Sequence, residues 1–154
     1  EVTSRLAAVI ATVAPRLVVG SLAPHYGRWL HDPAGGGWDF DQAWKPDAGF
    51  PVRAAWLASV RRGHRAVARG LDIDVPVLVC ASDATGPADR HHDALGSTDS
   101  VLAVEHMVER APLLGATVDL VQIPGGIHDL ALSPEPARTE YLAAVAGWLG
   151  RRLP

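Results

Sequence analysis

Apolar residues are spaced in three different ways along this chain. Leu6, Val9, Ile10, Val13 and Leu17 recur at helical intervals and predict an amphipathic first helix, which Pro15 ends or bends. Asp32 to Gly37 reads as a loop, with Pro33 and three consecutive glycines. Trp38, Phe40 and Trp44 follow, interleaved with Asp39, Asp41 and Lys45 in no clean period. Val52, Trp56, Val60 and Val67 then suit one face of a helix from about Pro51 to Arg69. From Ile73 to Ala81 the run is almost continuously apolar, the pattern of a strand buried on both faces. Ser82 to Ser100 is polar and turn-rich, a length of connection that is more often functional than idle.

The second half completes a repeating order. Val101, Leu102, Val104, Met107, Val108 and Ala111 mark a short helix, with Gly115 just past its end. Thr117 to Ile123 predicts a second strand. Ser133-Pro134 reads as the N-cap and first position of a last helix, whose inward stripe is Tyr141, Leu142, Val145, Trp148 and Leu149. Strand, helix, strand, helix implies an α/β architecture: a parallel pair joined by a right-handed crossover.

Composition narrows the picture. With 154 residues, 48% of them hydrophobic, the chain can fill one core. A formal net charge of -3 carries no footprint for nucleic acid. Cys80 is the single cysteine, so there is no disulfide framework. No apolar run approaches the length of a membrane span, and the N-terminus lacks a signal-peptide pattern, so a cytoplasmic location is expected. Residue 1 is Glu rather than Met, the mark of a processed, trimmed or partial chain.

Residues 117 to 129 concentrate the chemistry. The strand ends at Pro124-Gly125-Gly126, and His128 is thereby delivered just past its carboxyl end, where parallel sheets place binding and catalysis. The loop after the first strand carries Asp83, Asp89, Asp93 and Asp99. In a parallel pair both loops leave the same sheet edge, so one of these carboxylates can reach His128, fix its tautomer and stabilise its protonated form. Asp83 has the simpler claim by position. Asp99 has the better context, standing two residues before the helix that begins near Val101.

These segments resemble a known family. Val75-Pro76-Val77-Leu78-Val79, Thr98 to Glu105, and Val121 to Asp129 are similar to the C-terminal half of an α/β-hydrolase, closest to the serine aminopeptidase and monoacylglycerol lipase or lysophospholipase-like group. The resemblance covers about Ile73 to Leu153. Residues 1 to 70 more weakly resemble the helical cap or lid of that group, chiefly through Trp44-Lys45-Pro46 and Gly49-Phe50-Pro51, leaving 71 to 154 as core. It implies a partial α/β-hydrolase fold, C-terminal parallel strands with flanking helices behind a helical cap, in which Asp99 and His128 are the acid and base of a catalytic triad. It further implies a parent serine esterase acting on a small-molecule ester of acylglycerol or lysophospholipid type, with no cofactor and no metal. The nucleophile is missing: none of the seven serines is flanked by glycine at both minus two and plus two. The serine and the oxyanion donors are therefore expected from an absent N-terminal half, the chain alone is expected to be inactive, and a non-catalytic hydrolase-like binding domain is the alternative. A free-standing α/β module unrelated to hydrolases is a third.

The remaining candidates have plainer readings. His91 and His92 with Asp89 and Asp93 suit a solvated polar loop better than a metal site. His64 and His106 fall in helices as surface residues, and Asp129 has no assigned chemistry. Trp38, Phe40 and Trp44 suit the core of the cap, with a substrate pocket as the sharper possibility.

Overall fold

A computed structural model describes residues 10–152. Most of the expected first helix lies outside the described residues; positions 10–13 are helical. Strand β1 (Val18–Gly20) pairs antiparallel with β2 (Val52–Arg53), and between them runs a short helix, α1 (His25–His31). Helix α2 (Ala54–Ala68) follows directly. Its buried positions are Ala54 and Ala58, whereas Trp56 is 56% exposed. The expected Trp56-centred stripe is thus rotated: small alanines let the helix approach the fold closely, and the indole stays at the surface.

Strand β3 (Val77–Ser82) and strand β4 (Val118–Ile123) form a parallel pair, in register from Val77 opposite Val118 to Ser82 opposite Ile123. Helix α3 (Val104–Arg110) lies in the crossover between them, and α4 (Ala137–Gly150) packs against both strands. The first strand therefore begins four residues later than its apolar run, after the Pro76 that cannot donate to a ladder. In α4 the face turned inward is Ala137, Tyr141, Ala144 and Trp148; Leu142 and Leu149, expected inside, are exposed. Aspartate 119 fixes this orientation by accepting hydrogen bonds from Trp148 Nε1 at 2.7 Å and from Arg152 at 2.6 Å.

Two buried clusters hold these parts. Tyr26 and Leu30 of α1 meet Leu95 and Ile127, with Trp29, Trp38 and Phe40 packed around them. Ile123, Leu130 and Ala137 form the second, against Cys80 and Tyr141. The first cluster joins the N-terminal region to the loops after β3 and β4, so residues on both sides of position 70 share one core. Leu30 and Ile127 are completely buried, and burial of a side chain of this size contributes about 1.5–3 kcal/mol.

Candidate functional site

The turn after β4 shows why His128 stands where it does. Gly125 has φ +66°, a backbone conformation that strains any residue with a Cβ. Gly126 has an ordinary φ, but a Cβ there would meet Leu130 Cδ2 at 2.6 Å and the Ile123 carbonyl at 3.0 Å. The glycines thus serve separate needs, a left-handed turn and a close approach. The turn is held from outside: Asp83 accepts a hydrogen bond from Gly125 N at 3.0 Å, and the buried Ser82 hydroxyl bonds the Gly126 carbonyl at 2.7 Å. Ser133 Oγ accepts from Ile127 N at 3.1 Å. Ser133 is therefore not the cap of α4, which begins at Ala137 with no side-chain cap; it braces the His128 loop.

Asp99 arrives from the other loop. It makes an isolated parallel bridge with Thr85, its N–H donating to the Ala84 carbonyl and its carbonyl accepting from Gly86, so the backbone is pinned at the edge where β3 ends. Its side chain is buried. Oδ1 accepts from the N–H groups of Val101 at 2.9 Å and Leu102 at 2.8 Å, and Oδ2 lies 3.1 Å from His128 Nδ1. Burial alone would raise this carboxyl, but the bond from His128 and the two backbone N–H groups outweigh it and hold Asp99 below the ordinary carboxylate range. An ionised carboxylate only accepts, so Nδ1 carries a proton, and in the neutral imidazole it is Nε2 that holds the free lone pair. Asp83, the competing candidate, is occupied with the turn instead.

Around the imidazole lies a second network that the sequence did not announce. The Tyr26 hydroxyl donates to Asp129 Oδ2 at 2.9 Å and accepts from Asp129 N at 3.0 Å, and its ring meets His128 edge-on with centroids 5.9 Å apart. Lys45 pairs with the same Asp129 oxygen and sits 5.7 Å from the centre of the Tyr26 ring. Burial, foremost, together with Asp129 pushes the Tyr26 hydroxyl far above the usual phenol range, so it stays protonated. Sequence spacing could not expose this clasp, since 103 positions separate Tyr26 from Asp129.

His128, Tyr26 and Lys45 line a cavity of about 460 Å³. Leu22, Phe50, Val52 and Trp56 supply its apolar wall; Asp47, Arg53 and Ser100 add polar groups. Asp47 Oδ1 is a buried acceptor without a hydrogen-bond partner among the described residues. None of the three aromatics weighed as a possible substrate pocket lines this cavity. Trp38 packs in the first core cluster and donates to the Leu132 carbonyl at 2.9 Å, Phe40 packs beside it against His31, and Trp44 is 83% exposed. The wall comes instead from Phe50 and Trp56, farther along the same stretch. His92, read as a solvated loop residue, is half-buried and bonds Ser100 Oγ at 3.0 Å.

No family model matches the chain. Among curated proteins it is similar to the chloroplastic iron–sulfur subunit of the cytochrome b6-f complex of Volvox carteri, with 40% identity over 70 residues. That alignment takes in 45% of this chain and 34% of the other, so the chain spans about a third of the length of its relative. This finding corrects the family resemblance. Membership of the α/β-hydrolase group, serine esterase activity, the ester substrate, the complementary N-terminal half as a partner and the cytoplasmic location do not stand against it, and the non-catalytic hydrolase-like alternative gains nothing. The physical reason is that the resemblance rested on short strand and turn motifs, which local backbone chemistry can produce in unrelated proteins.

The relative's iron–sulfur chemistry also sets a test that these residues fail. Iron–sulfur clusters are held by cysteine thiolates, and at least two cysteines remain even where histidines replace the others. This chain has one, Cys80, within β3, where burial pushes its thiol up. No group of His, Cys, Asp and Glu among the described residues could hold a metal ion. No helix among the described residues is long and apolar enough to cross a membrane.

Proposed function

We propose that this chain binds a largely apolar small molecule in the cavity beside His128 and exchanges one proton with it, His128 acting as the acceptor and Asp99 as its orienting carboxylate. The observation that carries this reading is the 3.1 Å contact between Asp99 Oδ2 and His128 Nδ1, made by a buried carboxylate whose other oxygen is already satisfied by two backbone N–H groups. Such a carboxylate has one orientation, and it gives the ring one orientation and one tautomer. A cavity of about 460 Å³ with an apolar wall and few polar groups has the proportions of a small-molecule site. An O–H or N–H on the ligand would supply the proton, and the low polarity of the wall would keep water from competing for it.

A nitrophenol tests this directly, because it ionises near neutrality and turns yellow as it does so. Bound to the chain at neutral pH it should show a larger ionised fraction than when free, and His128→Gln should abolish the excess. Binding without any excess of the yellow form, or an equal excess in His128→Gln, would remove His128 from the role.

The matched segment supports a second reading, in which part of this chain associates with other protein subunits without holding a cluster. Anaerobic reconstitution with iron and sulfide should then leave no visible charge-transfer band. A stable band that survives gel filtration would overturn the donor-set argument built on the lone Cys80.

A further inference from the structure

The cavity carries charged groups whose balance depends on a residue outside its wall. Lys45 and Arg53 line it with positive charge and Asp47 with negative charge. Arg53 has its guanidinium turned to a backbone acceptor, donating to the Arg16 carbonyl at 2.7 Å. Lys45 is different: its ammonium is held by the Asp129 carboxylate, which accepts a hydrogen bond from the Tyr26 hydroxyl, itself anchored by the Asp129 backbone N–H. The carboxylate cannot swing away from Lys45 without giving up its hydrogen bond from Tyr26. With Lys45 neutralised, Arg53 and Asp47 are left as opposite charges, and the cavity carries little net field.

We propose that Asp129 determines the charge specificity of this cavity: by neutralising Lys45 it reserves the site for uncharged, mostly apolar molecules, and without it the same site prefers anions. This deepens the ligand-site reading above and rests on it. Asp129 thereby acquires a role through Lys45 that its position beside His128 does not suggest, namely discrimination between ligands and not proton exchange. The pair is partly exposed, with side chains 41% and 31% accessible, so its effect is that of a screened charge in a high effective dielectric.

Two naphthalene fluorophores that differ by one sulfonate make the measurement: N-phenyl-1-naphthylamine, uncharged, and 1-anilinonaphthalene-8-sulfonate, an anion. The quantity read is the ratio of their affinities for the whole chain at neutral pH. In Asp129→Asn, which keeps the shape and an acceptor for Tyr26, the ratio should move toward the anion by about fivefold and should shrink again in high salt. Adding Lys45→Met to that variant should reverse the move. Lys45→Met alone leaves the Asp129 carboxylate uncompensated and should shift the ratio the other way, so the proposal remains testable if Asp129→Asn does not fold. An unchanged ratio in folded Asp129→Asn, or in Lys45→Met, overturns it. If neither fluorophore binds the unmodified chain, the ligand-site reading fails and takes this inference with it; failure of the nitrophenol to ionise removes only the proton-exchange role.

Discussion

Asp99 and His128 meet at 3.1 Å although 29 positions separate them, and the backbone of each is held where it stands. The bridge to Thr85 fixes the backbone of one, and the Pro124-Gly125-Gly126 turn fixes that of the other. Because Asp99 accepts bonds at both oxygens, its ionised form is part of the fold as well as of the site. Its folded-state pKa lies below the unfolded value of about 3.9, so its contribution is fully present above that value and is lost as pH falls through the folded-state pKa. Asp99→Asn should therefore cost about 1–3 kcal/mol at pH 7, with the deficit narrowing progressively below about pH 4. Urea melts of both proteins across that range check the prediction, and a deficit independent of pH would refute it.

Tyr26→Phe isolates the clasp from the core. The ring, and its edge-on contact with His128, would remain, while the Asp129 N–H and carboxylate lose their common partner. The expected cost is about 1–3 kcal/mol, against about 3–5 kcal/mol for Tyr26→Ala, which also empties space beside Leu30 and Ile127. Because the folded-state pKa of Tyr26 is raised, its contribution is complete below the unfolded phenol value of about 10 and weakens as pH rises past it. Thermal melts should show that alkaline weakening in the parent chain and less of it in Tyr26→Phe.

The glycines of the His128 turn should separate by mechanism. Gly125→Ala places a Cβ in open space at positive φ and should cost about 1–2 kcal/mol. Gly126→Ala drives a Cβ into Leu130 and the Ile123 carbonyl, which can give way only by moving the loop, so about 1–3 kcal/mol is expected together with displacement of His128. The proton on His128 Nδ1, seen far downfield by NMR when bonded to Asp99, reports the difference: it should persist in Gly125→Ala and weaken or vanish in Gly126→Ala.

What could be read in the chain beforehand follows the range of the interactions concerned. The continuous apolar run at Val77 to Ala81 and the alternation at Val118 to Ile123 mark strands because burial acts on every residue of them, and Pro124-Gly125-Gly126 marks the turn because backbone geometry is local. Asp99 was preferred to Asp83 for its place before the helix near Val101, but nothing in the spacing shows how it reaches His128. Both follow β3, and only the bridge to Thr85 carries Asp99 back to the sheet edge. Tyr26 and Lys45 gave no signal at all, since their partner Asp129 lies far along the chain. The aromatics near position 40 read first as core, with a pocket as the sharper possibility, because an indole fills a core and lines a pocket equally well. The structure uses Trp38 for the first, and Phe50 and Trp56 for the second.

Ser133 shows how one local pattern can serve two structures, and it can be tested on that point. A serine before a proline is a sound N-cap signal, yet α4 begins at Ala137, and the Ser133 hydroxyl accepts from Ile127 N at 3.1 Å instead. Both residues are buried, Ile127 completely, so no water stands ready to replace the hydroxyl. Ser133→Ala should then leave a buried N–H without a partner at a cost of about 1–3 kcal/mol. A lost cap would cost a similar amount, so stability alone does not separate the two accounts. Amide exchange does. If Ser133 braces the loop, the Ile127 N–H should exchange markedly faster in Ser133→Ala while the first turn of α4 keeps its protection. Faster exchange confined to residues 137–140, with Ile127 unchanged, would mean that the serine caps the helix and that the brace on the His128 loop contributes nothing.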